Sequence, residues 1–164
     1  MTNLLEVVPG ADEVKTGVRD VKPVANGLTE ALADTYRLVF KTHAYHWNVE
    51  GPLFFSVHNL TDAQYPDMFA AADEIAERIR ALGQLTPFRL ADIIDASVIA
   101  DATALPDAVA IVEDLAHDHE KVAKRMHALI GLADKHKDPV TVDLITRRCA
   151  FHEKAAWMLR ATAK

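Results

Sequence analysis

Two histidines and three carboxylates between residues 46 and 77 are the side chains whose types and spacing most clearly suggest chemistry. Both histidines fall in the stretch HWNVEGPLFFSVH, and the acids follow it at helical spacing. Imidazole and carboxylate donors together suit iron or zinc. The predicted metal ligands are His46, His58, Asp62, Asp73 and Glu77.

The distance along the chain argues against one metal joining all five donors within one molecule. His58 and Asp73 are 15 residues apart. If residues 58–77 are helical, a rise of about 1.5 Å per residue places these two residues roughly 22 Å apart, too far for a single ion to bridge. Either the donors form two unrelated sites, or each end meets the opposite end of a second copy of the chain.

Each donor pair is a weak signal when it is taken alone. Asp73 and Glu77 are four residues apart and share a helix face. The same spacing is common on solvated helices, where the following Arg78 and Arg80 would make an ion-pair strip. An isolated histidine such as His46 is more often a core residue than a ligand. The clustering of all five donors on one helix pair is what favours a metal site.

His119 and His152 offer a competing site. Both lie on apolar seams of their helices and could face each other in the core. A buried di-iron site of the ferritin type requires Glu-x-x-His on two helices. Here Glu113 and His117 are four residues apart, and the apolar seams of the third and fourth helices offer no carboxylate. We therefore interpret His119 and His152 as core or interface histidines.

The remaining histidines considered, and the cysteine, have plainer interpretations. His43, one turn before His46, could be an outer ligand of the site but is interpreted as a packed residue, and His117 and His127 are expected to lie on the surface. Cys149 is interpreted as a buried small hydrophobe. Since no catalytic histidine partner for it is evident in the sequence, nucleophilic catalysis is not expected.

Four long helices must position the metal donors. Apolar residues recur every three or four positions in three segments: 24–49, 54–82 and 106–133. A fourth helix begins at Asp138-Pro139, a favourable N-cap and first-turn pair. Gly51-Pro52 is predicted to end the first helix, and Gly83 to end the second in a left-handed conformation.

The connections complete the predicted architecture. Residues 84–105 form one long connection, and its middle, 88–99, is apolar enough for a short helix. Four helices with one long crossover between the second and third predict an all-α, ferritin-like four-helix bundle over residues 24–164. Residues 1–23 lack periodicity and are predicted to form an N-terminal arm. Pro66 predicts a kink or local bulge in the second helix.

Composition sets the class of protein. The chain has 164 residues, a net charge of -6 and a pI of about 5.7, which argues against a protein that wraps nucleic acid over its whole surface. A single cysteine fits a reducing cytoplasm. The sequence shows no secretory signal, and no apolar stretch approaches the ~20 residues of a membrane span. These features predict one cytoplasmic domain without a membrane partner.

Three stretches resemble the Dps proteins, or mini-ferritins. HWNVEGPLFFSVH and DEIAERIRALG look like the two Dps signatures, and FHEKAAWMLRA is similar to the last helix of that family. The resemblance covers about residues 24–162. It implies a ferroxidase centre between two subunits, which an antiparallel two-fold contact would assemble. One chain would supply His46, His58 and Asp62, and its neighbour Asp73 and Glu77.

The same resemblance implies a function for these donors. It suggests a hollow dodecamer that oxidises Fe(II), preferably with hydrogen peroxide, and stores ferric mineral. His46 and His58 would bind the tighter iron with the partner's acids, and Asp62 would help to bind a second, looser one. Trp47 and Tyr45 could take up stray oxidising equivalents, although interface packing is their plainer role.

An acidic pore at a three-fold axis is a further feature that the resemblance implies. Asp138 and Asp143 match its position. The alternative is that Asp138 is only an N-cap and Asp143 only an exposed acid. The sequence leaves both interpretations open.

DNA is a candidate partner that the charge does not support. The N-terminal arm has three basic residues against four acidic ones: Lys15, Arg19 and Lys22 against Glu6, Asp12, Glu13 and Asp20. So few cations make the counterion-release term for DNA binding small. The alternative function is nevertheless a DNA-compacting stress protein with a vestigial metal site. A third hypothesis, an intrachain di-iron oxygenase, predicts a monomer that binds two irons.

Overall fold

The computed structural model describes residues 14–164, and five α-helices account for most of them. The helices are α1 Val21–Asn48, α2 Phe54–Ala81, α3 Leu90–Ala96, α4 Ala108–Lys135 and α5 Pro139–Thr162. The four long helices form the bundle, and α3 lies in the crossover between α2 and α4. The predicted all-α bundle with a short crossover helix is confirmed. Within the described range, no helix is long and apolar enough to cross a membrane.

Two helical hairpins build the bundle. α1 packs against α2, α4 packs against α5, and α1 also contacts α4 and α3. Their apolar seams meet in a core whose largest fully buried aliphatic side chains come from all four long helices: Leu28, Leu38, Met68, Ile75, Ile79, Ile111, Leu115, Met126, Ile145 and Leu159. Each such side chain contributes roughly 1.5–3 kcal/mol by leaving water. The core fixes the helices that carry the candidate donors.

The helix boundaries follow the turn and capping chemistry. The side chain of Asp138 accepts a hydrogen bond from the Thr141 amide at 2.9 Å and caps α5. Gly51 and Gly83 have φ of 86° and 77°, values that cost glycine little. The predicted cap at Asp138 and left-handed terminator at Gly83 are therefore confirmed.

The first helix begins earlier than the sequence pattern suggested. α1 starts at Val21, three residues inside the expected arm, after Asp20 accepts a hydrogen bond from the Lys22 amide at 3.3 Å. Residues 14–20 precede it without forming a helix. The rest of the predicted arm, residues 1–13, lies outside the described residues.

α2 runs unbroken from Phe54 to Ala81 with Pro66 in its interior. Proline lacks an amide hydrogen, so the helix forgoes the bond to the carbonyl of Asp62. Because the helix continues, His58 and Asp73 stay roughly 22 Å apart within one chain. A kink at Pro66 stays a prediction.

Buried charges pin the crossover against the bundle. Asp34 is fully buried, and one of its oxygens accepts hydrogen bonds from the Ser97 hydroxyl at 2.9 Å and the Val98 amide at 2.8 Å. Lys41 donates to the Ala100 carbonyl at 3.0 Å and to Asp118 at 2.6 Å. The apolar seam of the third long helix, α4, was expected to offer no carboxylate, yet Asp118 on that helix is 1% exposed. The ammonium group of Lys41 compensates the negative charge of the buried Asp118.

Candidate metal centre

His46 and His58 face each other where α1 ends and α2 begins. Their rings stack with centroids 3.8 Å apart. The Nδ1 atom of His46 lies 3.0 Å from the carbonyl oxygen of His58, and the Nδ1 atom of His58 lies 3.1 Å from the carbonyl oxygen of His46. Each histidine is thus held by the backbone of the other.

This reciprocal bonding sets which ring nitrogen is free. A carbonyl oxygen only accepts hydrogen bonds, so each Nδ1 carries the proton and each neutral ring keeps a lone pair on Nε2. The hydroxyl of Thr61 lies 3.1 Å from the Nδ1 of His46 and adds a second partner there. Outer bonds of this kind orient metal-binding histidines. The two Nε2 lone pairs are therefore the atoms of this pair that a metal ion could use.

The turn between α1 and α2 creates this arrangement. Gly51 adopts its positive φ directly after α1, and its carbonyl accepts a hydrogen bond from the Phe54 amide at 3.0 Å. This tight connection brings the last turn of α1, which contains His46, beside the second turn of α2, which contains His58. Two donors twelve residues apart in sequence are thereby placed in contact.

A shell of aromatic rings surrounds the histidines. His43 packs against Trp47 and Tyr65, with ring centroids 3.9 and 4.0 Å away, so its predicted packing role is confirmed. Tyr65 also lies 5.3 Å from the ring of His46, and its hydroxyl donates to Asp62 at 3.1 Å. Desolvation and this hydrogen bond raise the pKa of Tyr65. Tyr65 links the acid to the histidine pair.

Sequence reasoning missed Tyr65 and gave its place to Tyr45. Tyr45 is buried, and its hydroxyl donates to Asp114 on α4 at 2.7 Å. Burial first, and then the charge and hydrogen bond of Asp114, raise the pKa of Tyr45 far above its ordinary value. Its hydroxyl is engaged away from the histidines. The spacing of Tyr65, three residues after Asp62 on a helix, was the signal that could have identified it.

Asp73 and Glu77 lie exposed near the other end of α2. Asp73 borders a groove of about 600 Å³ between α1, α2 and the crossover. Phe69, Phe88 and Leu90 also line it, and they are 58%, 72% and 69% exposed. An acid beside so much exposed apolar surface is unusual on a free monomer and typical of an interface.

The alternative to a metal role for Asp73 and Glu77 was a set of ion pairs with the arginines that follow them, and the described residues do not form these ion pairs. Arg78 turns towards α5, where it donates to Asp138 at 2.6 Å and to Thr141 at 3.0 Å. Arg80 donates to the carbonyl oxygen of Gln84 at 2.9 Å, and within residues 14–164 the salt bridge of Arg78 is to Asp138 and not to Asp73 or Glu77. The two carboxylates are thus left available to a ligand.

The five predicted ligands occupy two places on the chain. His46, His58 and Asp62 lie at the α1–α2 turn, and Asp73 and Glu77 lie farther along α2. Within the described residues, three or more histidine, cysteine or acidic ligand atoms converge within 4.8 Å in one place only, at His127, Cys149 and Glu153. That convergence is elsewhere, between α4 and α5, and sequence reasoning missed it.

His119 and His152 lie fully buried between α4 and α5, so their predicted core location is confirmed. Their Nδ1 atoms are 2.8 Å apart, and neither Nε2 has a partner within the described structure. Burial lowers the pKa of His119 to about 3 and that of His152 well below its usual range. Both rings are neutral, and one donates its Nδ1 proton to the other.

The two acids proposed to line a pore, Asp138 and Asp143, lie in different environments. Asp138 is 1% exposed and is engaged by Arg78 and Thr141. Although burial opposes it, these bonds lower the pKa of Asp138. The pore interpretation is therefore wrong for Asp138, which is an N-cap. Asp143 is exposed and accepts a hydrogen bond from Arg147 at 3.2 Å.

The helical fold is that of a ferritin-like protein, and comparison with known proteins agrees. The ferritin-like domain model matches residues 25–164. DNA protection during starvation protein 2 of Bacillus anthracis is 34% identical over 85% of this chain and 96% of its own length. The chain belongs to the Dps family of ferritin-like proteins.

Solved structures show the same fold. Antigen TpF1 from Treponema pallidum superimposes with a TM-score of 0.85 and 34% identity, over 90% of this chain and 97% of that one. A Dps protein from Vibrio cholerae O1 gives a TM-score of 0.85 and 26% identity, over 97% and 99% of the two chains. That protein is described as a member of a broad superfamily of ferritin-like diiron-carboxylate proteins.

Proposed function

We propose that this protein oxidises Fe(II) at sites shared between two subunits and stores the ferric product inside a hollow homo-oligomer, a dodecamer. The observation that carries the proposal is the separation of two well-formed half-sites by an unbroken α2. His46 and His58 offer aligned nitrogen donors, and Asp73 and Glu77 offer exposed oxygen donors. Neither half alone has enough donors for two irons, and an antiparallel two-fold contact would join them.

Iron is the substrate, and the donor set suits its oxidation. Carboxylate oxygens favour Fe(III), the harder ion, over Fe(II), which makes electron loss easier. His46 and His58 bind the tighter iron with Asp73 and Glu77 of the neighbour, and Asp62 helps to bind the second. Two Fe(II) ions each give up one electron. Hydrogen peroxide, the preferred oxidant, takes both electrons and two protons and becomes two waters, so no hydroxyl radical is released.

Exposed apolar side chains support an assembly at both half-sites. Trp47 and Phe55, near the histidines, are 61% and 76% exposed in the single chain. Phe69 and Phe88 flank Asp73 at the other end. Monomeric proteins rarely leave such contiguous apolar surface in water. A two-fold contact that buries both ends at once would complete the metal site and cover these rings.

Subunit mixing tests the shared site directly. His58→Ala and Glu77→Ala assemblies should each be inactive in anaerobic iron oxidation by peroxide. After dissociation, mixing and reassembly, half of the two-fold pairs are mixed, and each mixed pair has one intact site of two. Activity should then return to about one quarter of the parent value.

A matched mixture provides the control. His58→Ala mixed with Asp62→Ala places both defects in the same half-site, so no mixed interface regains an intact set and activity should stay absent. Subunit exchange is verified in both mixtures by mass-tagged chains. Absence of recovery in the first mixture, with exchange proven, would contradict the shared site.

Two other functions make different predictions. An intrachain di-iron oxygenase predicts a monomer by light scattering that still binds two irons, whereas our proposal predicts a large assembly. A DNA-compacting protein predicts a gel shift at moderate salt. Several relatives carry DNA protection in their names, but the net charge of -6 does not favour DNA binding. Removal of iron and peroxide would by itself protect DNA from oxidation.

A further inference from the structure

A second group of metal-binding side chains lies between α4 and α5, away from the candidate ferroxidase donors. It consists of His127 on α4 with Cys149 and Glu153 on α5, and we call it the α4–α5 triad. The three ligand atoms lie within 4.8 Å of one another. We propose that the triad binds a divalent cation of the zinc class, with water in the fourth position.

The helices place these donors without any special loop. Cys149 and Glu153 are four residues apart on α5 and share one face. His127 faces them across the α4–α5 contact, and its Nε2 lies 2.8 Å from a carboxylate oxygen of Glu153. The Sγ of Cys149 lies 3.8 Å from the same oxygen. All three donors thus belong to two long helices packed against each other.

These distances suit a tetrahedral ion. Zinc bonds of roughly 2.0–2.3 Å to oxygen, nitrogen and sulfur place neighbouring ligand atoms about 3.3–3.6 Å apart. The observed separations of 2.8 and 3.8 Å lie on either side of that range. His127 and Glu153 are 63% and 57% exposed, so both side chains can move to bring all three ligand atoms to these separations. An ion would replace the proton now shared between them.

Charge balance favours a divalent ion. A thiolate and a carboxylate together neutralise two positive charges, and the imidazole is neutral when it binds a metal. The nearby acid Glu120 is already engaged by two hydrogen bonds from Arg160, at 2.6 and 2.8 Å. A neutral complex at the edge of the bundle avoids the cost of an unpaired charge.

The cysteine gives the site a pH signature. Burial first, and then Glu153, raise the pKa of Cys149 to about 11. The free thiol is therefore protonated at neutral pH, and metal binding must release that proton to solvent. Apparent affinity should rise with pH across the neutral range.

Cobalt(II) is the sharpest probe, because a bond between Co(II) and a thiolate gives a near-ultraviolet charge-transfer band. The chain has one cysteine, so any such band reports Cys149. Titration of the assembled, metal-free parent under anaerobic, thiol-free reducing conditions should give a band that saturates at an intensity corresponding to one Co(II)–thiolate bond per chain. Added Zn(II) should remove the band.

Variants then assign the ligands. Cys149→Ser should abolish the band, and His127→Ala and Glu153→Gln should each weaken Co(II) binding by about 10-fold or more, since even outer partners of metal sites cost 10–100-fold. His117→Ala, an exposed histidine on the same helix, should leave the titration unchanged. His58→Ala should leave the thiolate band unchanged while it removes iron oxidation, so this proposal and the proposed function can fail separately.

Two results would overturn the proposal. One is the absence of a thiolate band from the parent at saturating Co(II), with folding verified by circular dichroism. The other is a band whose affinity is unchanged in both His127→Ala and Glu153→Gln. Either would reduce the triad to a surface histidine–glutamate pair beside a buried thiol.

Discussion

The structure contains two pairs of histidines in contact, His46 with His58 between α1 and α2, and His119 with His152 between α4 and α5. The two pairs differ in the partner that each Nδ1 atom contacts. In the α1–α2 pair, each Nδ1 meets a backbone carbonyl, which leaves the Nε2 lone pairs for a ligand. In the α4–α5 pair, the two Nδ1 atoms meet each other and the Nε2 atoms are sealed in the core. The partner of Nδ1 is therefore the feature that distinguishes a pair suited to binding a ligand from a pair suited to the core.

The surroundings reinforce the difference. His58 is half-buried and packs against the ring of Phe54, and Asp62, one helical turn later, is exposed. His119 and His152 have no exposed surface, and Arg148 adds a positive charge that disfavours protonation of either ring. At the second pair, burial and the charge of Arg148 both disfavour a metal cation.

The largest expected effect is a separation of activity from stability between the two pairs. His58→Ala should lower the rate of iron oxidation by more than about 100-fold, because the loss of a direct ligand exceeds the loss of an outer partner, while the free energy of unfolding changes by less than about 1.5 kcal/mol. His152→Leu should do the reverse: it orphans the buried Nδ1 of His119 and costs about 1–3 kcal/mol, with an unchanged oxidation rate. Stopped-flow oxidation and urea unfolding measure both quantities. Loss of iron oxidation in His152→Leu assemblies would contradict a purely structural role for the α4–α5 histidine pair.

Acid should destabilise the protein through the α4–α5 pair. Above about pH 6.5 neither the folded nor the unfolded histidine binds a proton. Below that value only the unfolded one does, because the folded pKa of His119 is about 3. Stability should therefore fall by about 1.4 kcal/mol per pH unit for each histidine that stays neutral. Urea unfolding at fixed protein concentration from pH 7 to pH 5 measures the slope.

The double variant His119→Leu/His152→Leu isolates this contribution. Replacing both hydrogen-bonding partners by apolar groups is nearly neutral at pH 7, so the two proteins should have similar stability there. The variant should lose less stability on acidification. Equal slopes for the variant and the parent would mean that carboxylates such as Asp138 account for the acid sensitivity instead.

A smaller effect should follow from loosening the ring of His46. Thr61→Val removes the hydroxyl 3.1 Å from its Nδ1 and should lower iron affinity by about 10-fold, as for other outer partners of metal ligands. Thr42→Val is the matched control, since Thr42 is a buried threonine on α1 whose hydroxyl has no partner within the described structure. Iron titration of the two variants should separate them, and equal affinities would show that the carbonyl of His58 alone orients the ring.

The smallest expected effect concerns Tyr65. Tyr65→Phe removes its hydrogen bond to Asp62 and keeps the ring against His43, so the oxidation rate should fall by only about 3-fold, in line with the modest value of an exposed hydrogen bond. Tyr36→Phe, an exposed tyrosine on α1, is the control. A Tyr65→Phe loss as large as that of His58→Ala would place the phenol in the reaction itself.

Helical periodicity and short-range spacing explain what could be predicted from the sequence. The four long helices, the cap at Asp138, the left-handed Gly83 and the donors of the α1–α2 turn all depend on residues close together along the chain. Asp34 could not be foreseen, because its partners Ser97 and Arg125 are brought to it only by the folded crossover and α4.

The α4–α5 triad escaped prediction for a related reason. His127 and Cys149 are 22 residues apart, and their meeting depends on the register of two helices. That register is set by a short turn in which Lys137 adopts a positive φ of 60°. Since lysine gives little warning of such a conformation, the sequence pattern indicated two helices but not which of their residues would face each other.

The length of α2 has a consequence for the newly made chain. Because the proposed donors are divided between the two ends of α2, a newly synthesised subunit would be unable to oxidise iron until it paired with another. Activity would then grow with the square of subunit concentration at high dilution and become proportional to it once pairing is complete. A cell would thereby avoid ferric mineral forming on incomplete shells, where it could not be enclosed.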